Sequence, residues 1–179
     1  MNMEAAVPRM DLKSMYDYLG SGLFADNKFK SILLIEDDPD FAAVLKSHLE
    51  SQPGIRVKVA KDPYEATDAL TEKCYDLVIA DWALPPFNAS NAIQQADNFL
   101  RMDPLLPLKW TYQRVPVLLI SGQDHTKELK HLKPFEHFEL VQFLLKQSGI
   151  RKIANKVKRL LGHKRLGKIP KLALAPTTH

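Results

Sequence analysis

The chain has 179 residues and is 45% hydrophobic, enough for one domain with a real core plus appendages, which excludes wholesale disorder. Its net charge of +4 hides a division: residues 151–179 hold nine Lys/Arg and no Asp/Glu, leaving 16 basic against 21 acidic residues in 1–150. A single cysteine, Cys74, excludes an internal disulfide and a cysteine-based zinc site, and no run approaches the ~18 uncharged apolar residues of a membrane-spanning helix.

The N-terminal MNMEAAVPRMDLK has no apolar run of the signal-peptide kind, so the expected location is the cytoplasm. Asp11 caps an expected short helix closed by Gly20, within an extension over 1–29. Residues 31–36, SILLIE, read as a buried parallel strand that ends in acids. Asp38-Pro39 supplies an N-cap and an N1 proline, and the helix that follows carries Phe41, Val44, Leu45 and Leu49 on one face until Pro53-Gly54. A second strand, 55–60, leads to the same cap signal at Asp62-Pro63 and a helix with Ala66, Ala69 and Leu70 inward. A third strand, 76–80, ends at Asp81.

Pro85-Pro86 forces a loop, and a helix is expected from about Ser90 to Met102. Residues 103–114 look irregular, with Pro104 and Pro107 as breakers. Residues 115–120, VPVLLI, are a fourth buried strand. A short fifth strand is expected near 129–132, and a last core helix over 135–147 with Phe138, Val141, Leu144 and Leu145 at helical spacing. A further amphipathic segment, 151–161, has Ile153, Val157, Leu160 and Leu161 on one side and cations on the other. Alternating strands and helices of this kind predict an α/β fold, a parallel sheet covered on both faces, with its site at the carboxyl ends of the strands.

The residues at those ends are Glu36-Asp37, Asp81, Ser121 and, after the expected fifth strand, Lys133. Three carboxylates at one edge repel one another unless a cation joins them, and an all-oxygen donor set suits Mg²⁺. Singly, each has a plainer reading: helix-start acids favoured by the dipole, a loop acid, a turn former, a surface lysine. Together, in this order, they point to one site.

With these segments the sequence resembles the receiver domain of bacterial two-component response regulators: ILLIEDDPD (32–40), YDLVIADWALP (75–85), VPVLLISG (115–122) and LKPF (132–135). The resemblance implies a doubly wound, flavodoxin-like fold of five parallel strands in the order 2-1-3-4-5, spanning 30–148. It implies transfer of a phosphoryl group from the phosphohistidine of a histidine kinase or phosphotransfer protein to Asp81. It further implies that Asp37, Asp81 and the Ala83 carbonyl hold Mg²⁺, that Glu36 acts mainly through a metal-bound water, and that Ser121 and Lys133 bind phosphoryl oxygens. Such a protein is not a conventional enzyme; it catalyses only its own phosphorylation and dephosphorylation.

The pattern also departs from the family. Eleven residues between Ser121 and Lys133 leave no room for an ordinary helix and a strand, so the fourth helix is expected to be lost or shortened. The family's aromatic three residues before the lysine falls on Lys130. The rival reading is therefore a receiver-like interaction module that does not switch by phosphorylation. Residues 149–179 are expected to be a basic helix and tail, too short for a DNA-binding domain, so output would pass through an unidentified protein partner or a homodimer, with the tail open to an anionic partner. No phosphate-cradling glycine loop or metal-spaced histidine set occurs, and a dehalogenase-type phosphatase would need an acid where Ala83 stands.

Overall fold

A computed structural model describes residues 29–102, 114–132 and 134–162. Strand β1 (Lys30–Ile35) leads into helix α1 (Pro39–Glu50), β2 (Ile55–Ala60), α2 (Pro63–Glu72) and β3 (Leu77–Asp81). A small antiparallel hairpin, β4 (Ala83–Leu84) with β5 (Phe87–Asn88), precedes α3 (Ala89–Met102). Strand β6 (Val115–Ser121), the single-turn helix α4 (Thr126–Leu129), β7 (Phe138–Leu145), a 3₁₀ turn over Lys146–Ser148 and α5 (Ile150–Gly162) complete it.

The five long strands form one sheet in the order β2-β1-β3-β6-β7, all parallel. Counted among themselves in chain order they run 2-1-3-4-5, and the order reverses between β1 and β3 beside the strand ends that carry the acids. Side chains alternate between two cores, as strand geometry requires. Leu33, Ile35, Val78, Ala80, Val117 and Leu119 face α2 and α3, meeting Leu70, Ile93 and Leu100. Ile32, Leu34, Leu77, Ile79, Leu118 and Ile120 face α1 and α5, meeting Leu45, Leu49, Ile153 and Val157.

The caps form as the sequence implies. Asp38 accepts from the backbone N–H groups of Asp40 and Phe41, and Asp62 from those of Tyr64 and Glu65. Within α1 the inward face differs slightly from the expected one, because Ala42 is buried and Val44 is 56% exposed.

The carboxyl-terminal third requires corrections. Residues expected as a strand, 129–132, instead finish the one-turn α4 and the turn after it, where His131 and Leu132 donate to the Glu128 and Leu129 carbonyls. The expected helix over 135–147 is the strand β7, hydrogen-bonded in parallel to β6 along its length. An apolar run such as FELVQFLL fits a buried strand and a helix face equally well by periodicity, and the unpaired edge of β6 decides between them. The last helix of the core is α5, whose Ile153 and Val157 are fully buried. The break expected after residue 148 therefore falls inside the packed unit. The expected N-terminal helix, the irregular stretch after Met102, Lys133 and the tail beyond Gly162 lie outside the described residues.

Candidate functional site

The sheet brings four chain-distant segments to one edge. Glu36 directly follows β1, Asp81 ends β3, Ser121 ends β6, and the residue after β7 is Lys146. Register makes this convergence exact to a residue: Ile35 lies beside Ala80, Asp81 beside Ile120, and Ser121 beside Leu145. Glu36, Asp81 and Ser121 are all buried, whereas Asp37 is exposed.

Lys146 is the centre of the arrangement. Its Nζ donates to Glu36 Oε1 and to Asp81 Oδ2, each at 2.7 Å. The same ammonium lies 4.6 Å from the centroid of the Phe41 ring, which shields it on the α1 side. Burial opposes charge on Lys146, yet the hydrogen bonds it donates to Asp81 and Glu36 outweigh it and hold the ammonium above its ordinary pKa. Asp81 Oδ1 accepts the backbone N–H of Ala83 at 3.2 Å, so both oxygens of this carboxylate are oriented. Ser121 Oγ accepts the backbone N–H of Gln123 at 3.2 Å. Next to Asp81 in the chain, Trp82 is stacked on His125 with centroids 5.4 Å apart.

Glu36 is the electrostatically strained member. Burial is the main cause that pushes its carboxyl up to about 7, and the neighbouring Asp81 charge acts in the same direction. Hydrogen bonds from Lys146 and the Asp38 backbone oppose the shift without cancelling it. Its Oε2 is buried with no hydrogen-bond partner among the described residues.

These features bear on whether a cation fits. Oxygens of Glu36, Asp37 and Asp81 lie within 4.8 Å of one another. Three carboxylates against one ammonium leave two negative charges uncompensated when all are ionised, and one carboxylate oxygen is orphaned. A hard divalent cation meets both conditions, since it takes oxygen donors and only a few carboxylates. The acidic cluster is thus able to hold a metal.

Of the residues expected from sequence, Glu36, Asp37, Asp81 and Ser121 arrive at one edge, with Ala83 adjacent. Among the described residues the ammonium at this edge is that of Lys146; the expected Lys133 lies outside the described residues. Lys146 is not legible in the sequence because it sits in a run that reads as a helix. One signal was available. The eleven-residue gap before Lys133 is too short for a helix and a strand, whereas the gap before Lys146 accommodates α4 and all eight residues of β7. The position three before Lys146 is Phe143. Phe143 lies on β7, opposite Leu119, and packs on the core beneath α3 and α4.

Comparison with known proteins agrees with this geometry. Residues 32–158 match the response regulator receiver domain family. A protein-glutamate methylesterase/protein-glutamine glutaminase 2 from Vibrio vulnificus (strain YJ016) is 28% identical over 118 residues, 63% of this chain; the match spans 30% of that relative's length. Two solved structures share the fold. The receiver domain of the Francisella response regulator 1452 is 24% identical, with a TM-score of 0.52 over 74% of this chain and 96% of that one. The receiver domain of sensor histidine kinase PA1611 from Pseudomonas aeruginosa PAO1 has a magnesium ion coordinated in its active site cleft; it is 22% identical, with a TM-score of 0.56 over 75% of this chain and 99% of that one. With the strand order, the acidic edge and a family match covering most of its length, this chain belongs to the response regulator receiver domain family of two-component signalling.

Proposed function

We propose that this receiver accepts a phosphoryl group onto Asp81 from the phosphohistidine of a histidine kinase or phosphotransfer protein in the cytoplasm, and passes the signal on by protein contacts. The observation that carries the reading is the paired 2.7 Å approach of Lys146 Nζ to Glu36 and Asp81 at the carboxyl edge of the sheet. In this reading an Asp81 oxygen attacks phosphorus in line, the P–N bond to the donor imidazole breaks, and the nitrogen leaves with the bonding electrons. Lys146 and the Ser121 hydroxyl are the groups available to the equatorial phosphoryl oxygens, and positioning with charge stabilisation supplies most of the rate in such transfers.

Mg²⁺, held by Asp37, Asp81 and the Ala83 carbonyl with Glu36 behind a water, would supply positive charge against the phosphoryl oxygens. The orphaned Glu36 oxygen and the acid cluster support that assignment. Ala83 has no polar side chain to hold a hydrolytic water, so hydrolysis of the acyl phosphate would depend on Gln123. Apart from these reactions on its own aspartate, the chain has no enzyme activity in this reading.

The test is intact mass after treatment with Mg²⁺ and acetyl phosphate. Wild type is expected to gain one phosphoryl group, and Asp81→Asn none. Equal gain in both proteins, or none in either, rejects the reading. The alternative, an interaction module that does not switch, rests on the single-turn α4, which leaves little of a fourth helix to move. Unchanged partner capture by the phosphorylated and unphosphorylated protein would favour it.

A further inference from the structure

We infer that the groove between the edge strand β7 and helix α5 is a binding site for a compact soluble ligand carrying several phosphate groups, distinct from the Asp81 pocket. The groove has a volume of about 510 Å³ and is lined by Gln142, Ser148, Arg151, Lys152, Lys156 and Arg159, with no acidic residue on its wall. That volume is of small-molecule size. Among the described residues, no carboxylate pairs with Arg151, Lys152 or Lys156. Ser148 Oγ is buried at the groove and has no hydrogen-bond partner among the described residues. The first turn of α5 adds the partial positive charge of a helix start to the same end.

Three observations select the occupant. The apolar face of α5 is buried in the core through Ile153, Ala154 and Val157, so this helix has no free hydrophobic face to insert into a lipid surface. No aromatic side chain lines the groove, which removes the stacking platform on which single-stranded nucleic acid is held. Arg151, Lys152 and Lys156 span roughly 7.5 Å of one helix at 1.5 Å per residue, a reach that suits two or three linked phosphates. Arginine and lysine with hydroxyl and amide donors are the chemistry that phosphate oxygens require.

The test uses the full chain in EDTA, so that the acidic edge carries no metal, with tripolyphosphate and ATP as probes and AMP as the low-charge control. Calorimetric titration is expected to show ATP and tripolyphosphate binding about tenfold or more tighter than AMP, weakening as salt rises. Lys152→Ala with Lys156→Ala, both compatible with a helix, is expected to weaken ATP by about tenfold or more. Lys158→Ala, which removes a charge from α5 outside the groove, is expected to change it less than about twofold. Equal loss in Lys158→Ala would assign binding to net charge and overturn the site. So would failure of both probes to bind, or binding seen only with a single-stranded oligonucleotide or phosphatidylglycerol vesicles.

Discussion

Lys146 faces two carboxylates with only 19% of its side chain exposed, so its removal has consequences beyond a lost contact. Lys146→Met would leave the Asp81 carboxylate without its counter-ion in a poorly hydrated pocket and would push Glu36 further toward its neutral form. Losing one partner of such a buried pair costs about 3–5 kcal/mol. Urea unfolding in EDTA should show a loss of that order, partly recovered when Mg²⁺ is added, and phosphoryl uptake should fall by roughly 10²-fold or more. Lys133→Met should alter neither, which separates the two lysines experimentally. Glu36 yields a prediction about pH. Burial raises its carboxyl to about 7, so the fold favours its protonated form. The associated stability is fully present below about pH 4.5 and is lost as pH rises through about 7. Unfolding curves of the metal-free protein across that window should show this decline, and Glu36→Gln, which cannot ionise, should flatten it. A Glu36→Gln slope equal to wild type would mean that the buried carboxyl does not titrate in this range.

At the scale of elements, β7 depends on a clamp that sequence reading missed. Asp97, in the middle of α3, is fully buried, and its oxygens accept the backbone N–H groups of Glu136 and His137 at 3.0 and 2.8 Å. His137 Nδ1 lies 3.0 Å from the same carboxylate and Arg101 3.3 Å from it, so the chain entering β7 is tied to α3. Burial opposes ionisation of Asp97, but the backbone hydrogen bonds outweigh it and hold the carboxyl below the usual aspartate range. Asp97→Ala would orphan two backbone donors at the start of the strand and should destabilise by about 2–4 kcal/mol in a urea melt. The ionised clamp contributes stability above the unfolded aspartate pKa and loses it as pH falls through the lowered one, so the mutant should also be less acid-sensitive. An aspartate inside an amphipathic helix gives no local sign of such a role, because its partners lie 39 and 40 residues away. The first three strands were legible for the opposite reason: the first and third are short apolar runs that lead straight into an acid, the second alternates apolar with basic residues, and the first two are followed by an Asp-Pro cap. β7 was not, because its signal is the free edge of β6, which exists only once the sheet has formed.

For the whole molecule, the question is where the folded unit ends. The change to a wholly basic composition at residue 151 suggests an appendage, since cations and apolar residues at helical spacing are also what a surface-lying helix carries. Packing decides otherwise: α5 covers the sheet beside α1, with Ile153 and Val157 fully buried and Ile150, Leu160 and Leu161 packed at the margin. Full burial of one such side chain contributes about 1.5–3 kcal/mol, against net domain stabilities of about 5–15 kcal/mol. Ending the chain after Gly149 would also uncover the α5 side of β3, where Leu77 and Ile79 are buried. That truncation should give an aggregating or molten product, read as loss of a cooperative thermal transition and strong binding of a hydrophobic dye. Ending it after Gly162 should leave the transition within a few degrees of the full chain, because every described core residue lies before that point. Cooperative unfolding of the shorter product would show that α5 is dispensable, returning it to the status of a basic appendage and making its cationic groove a feature of a detachable helix.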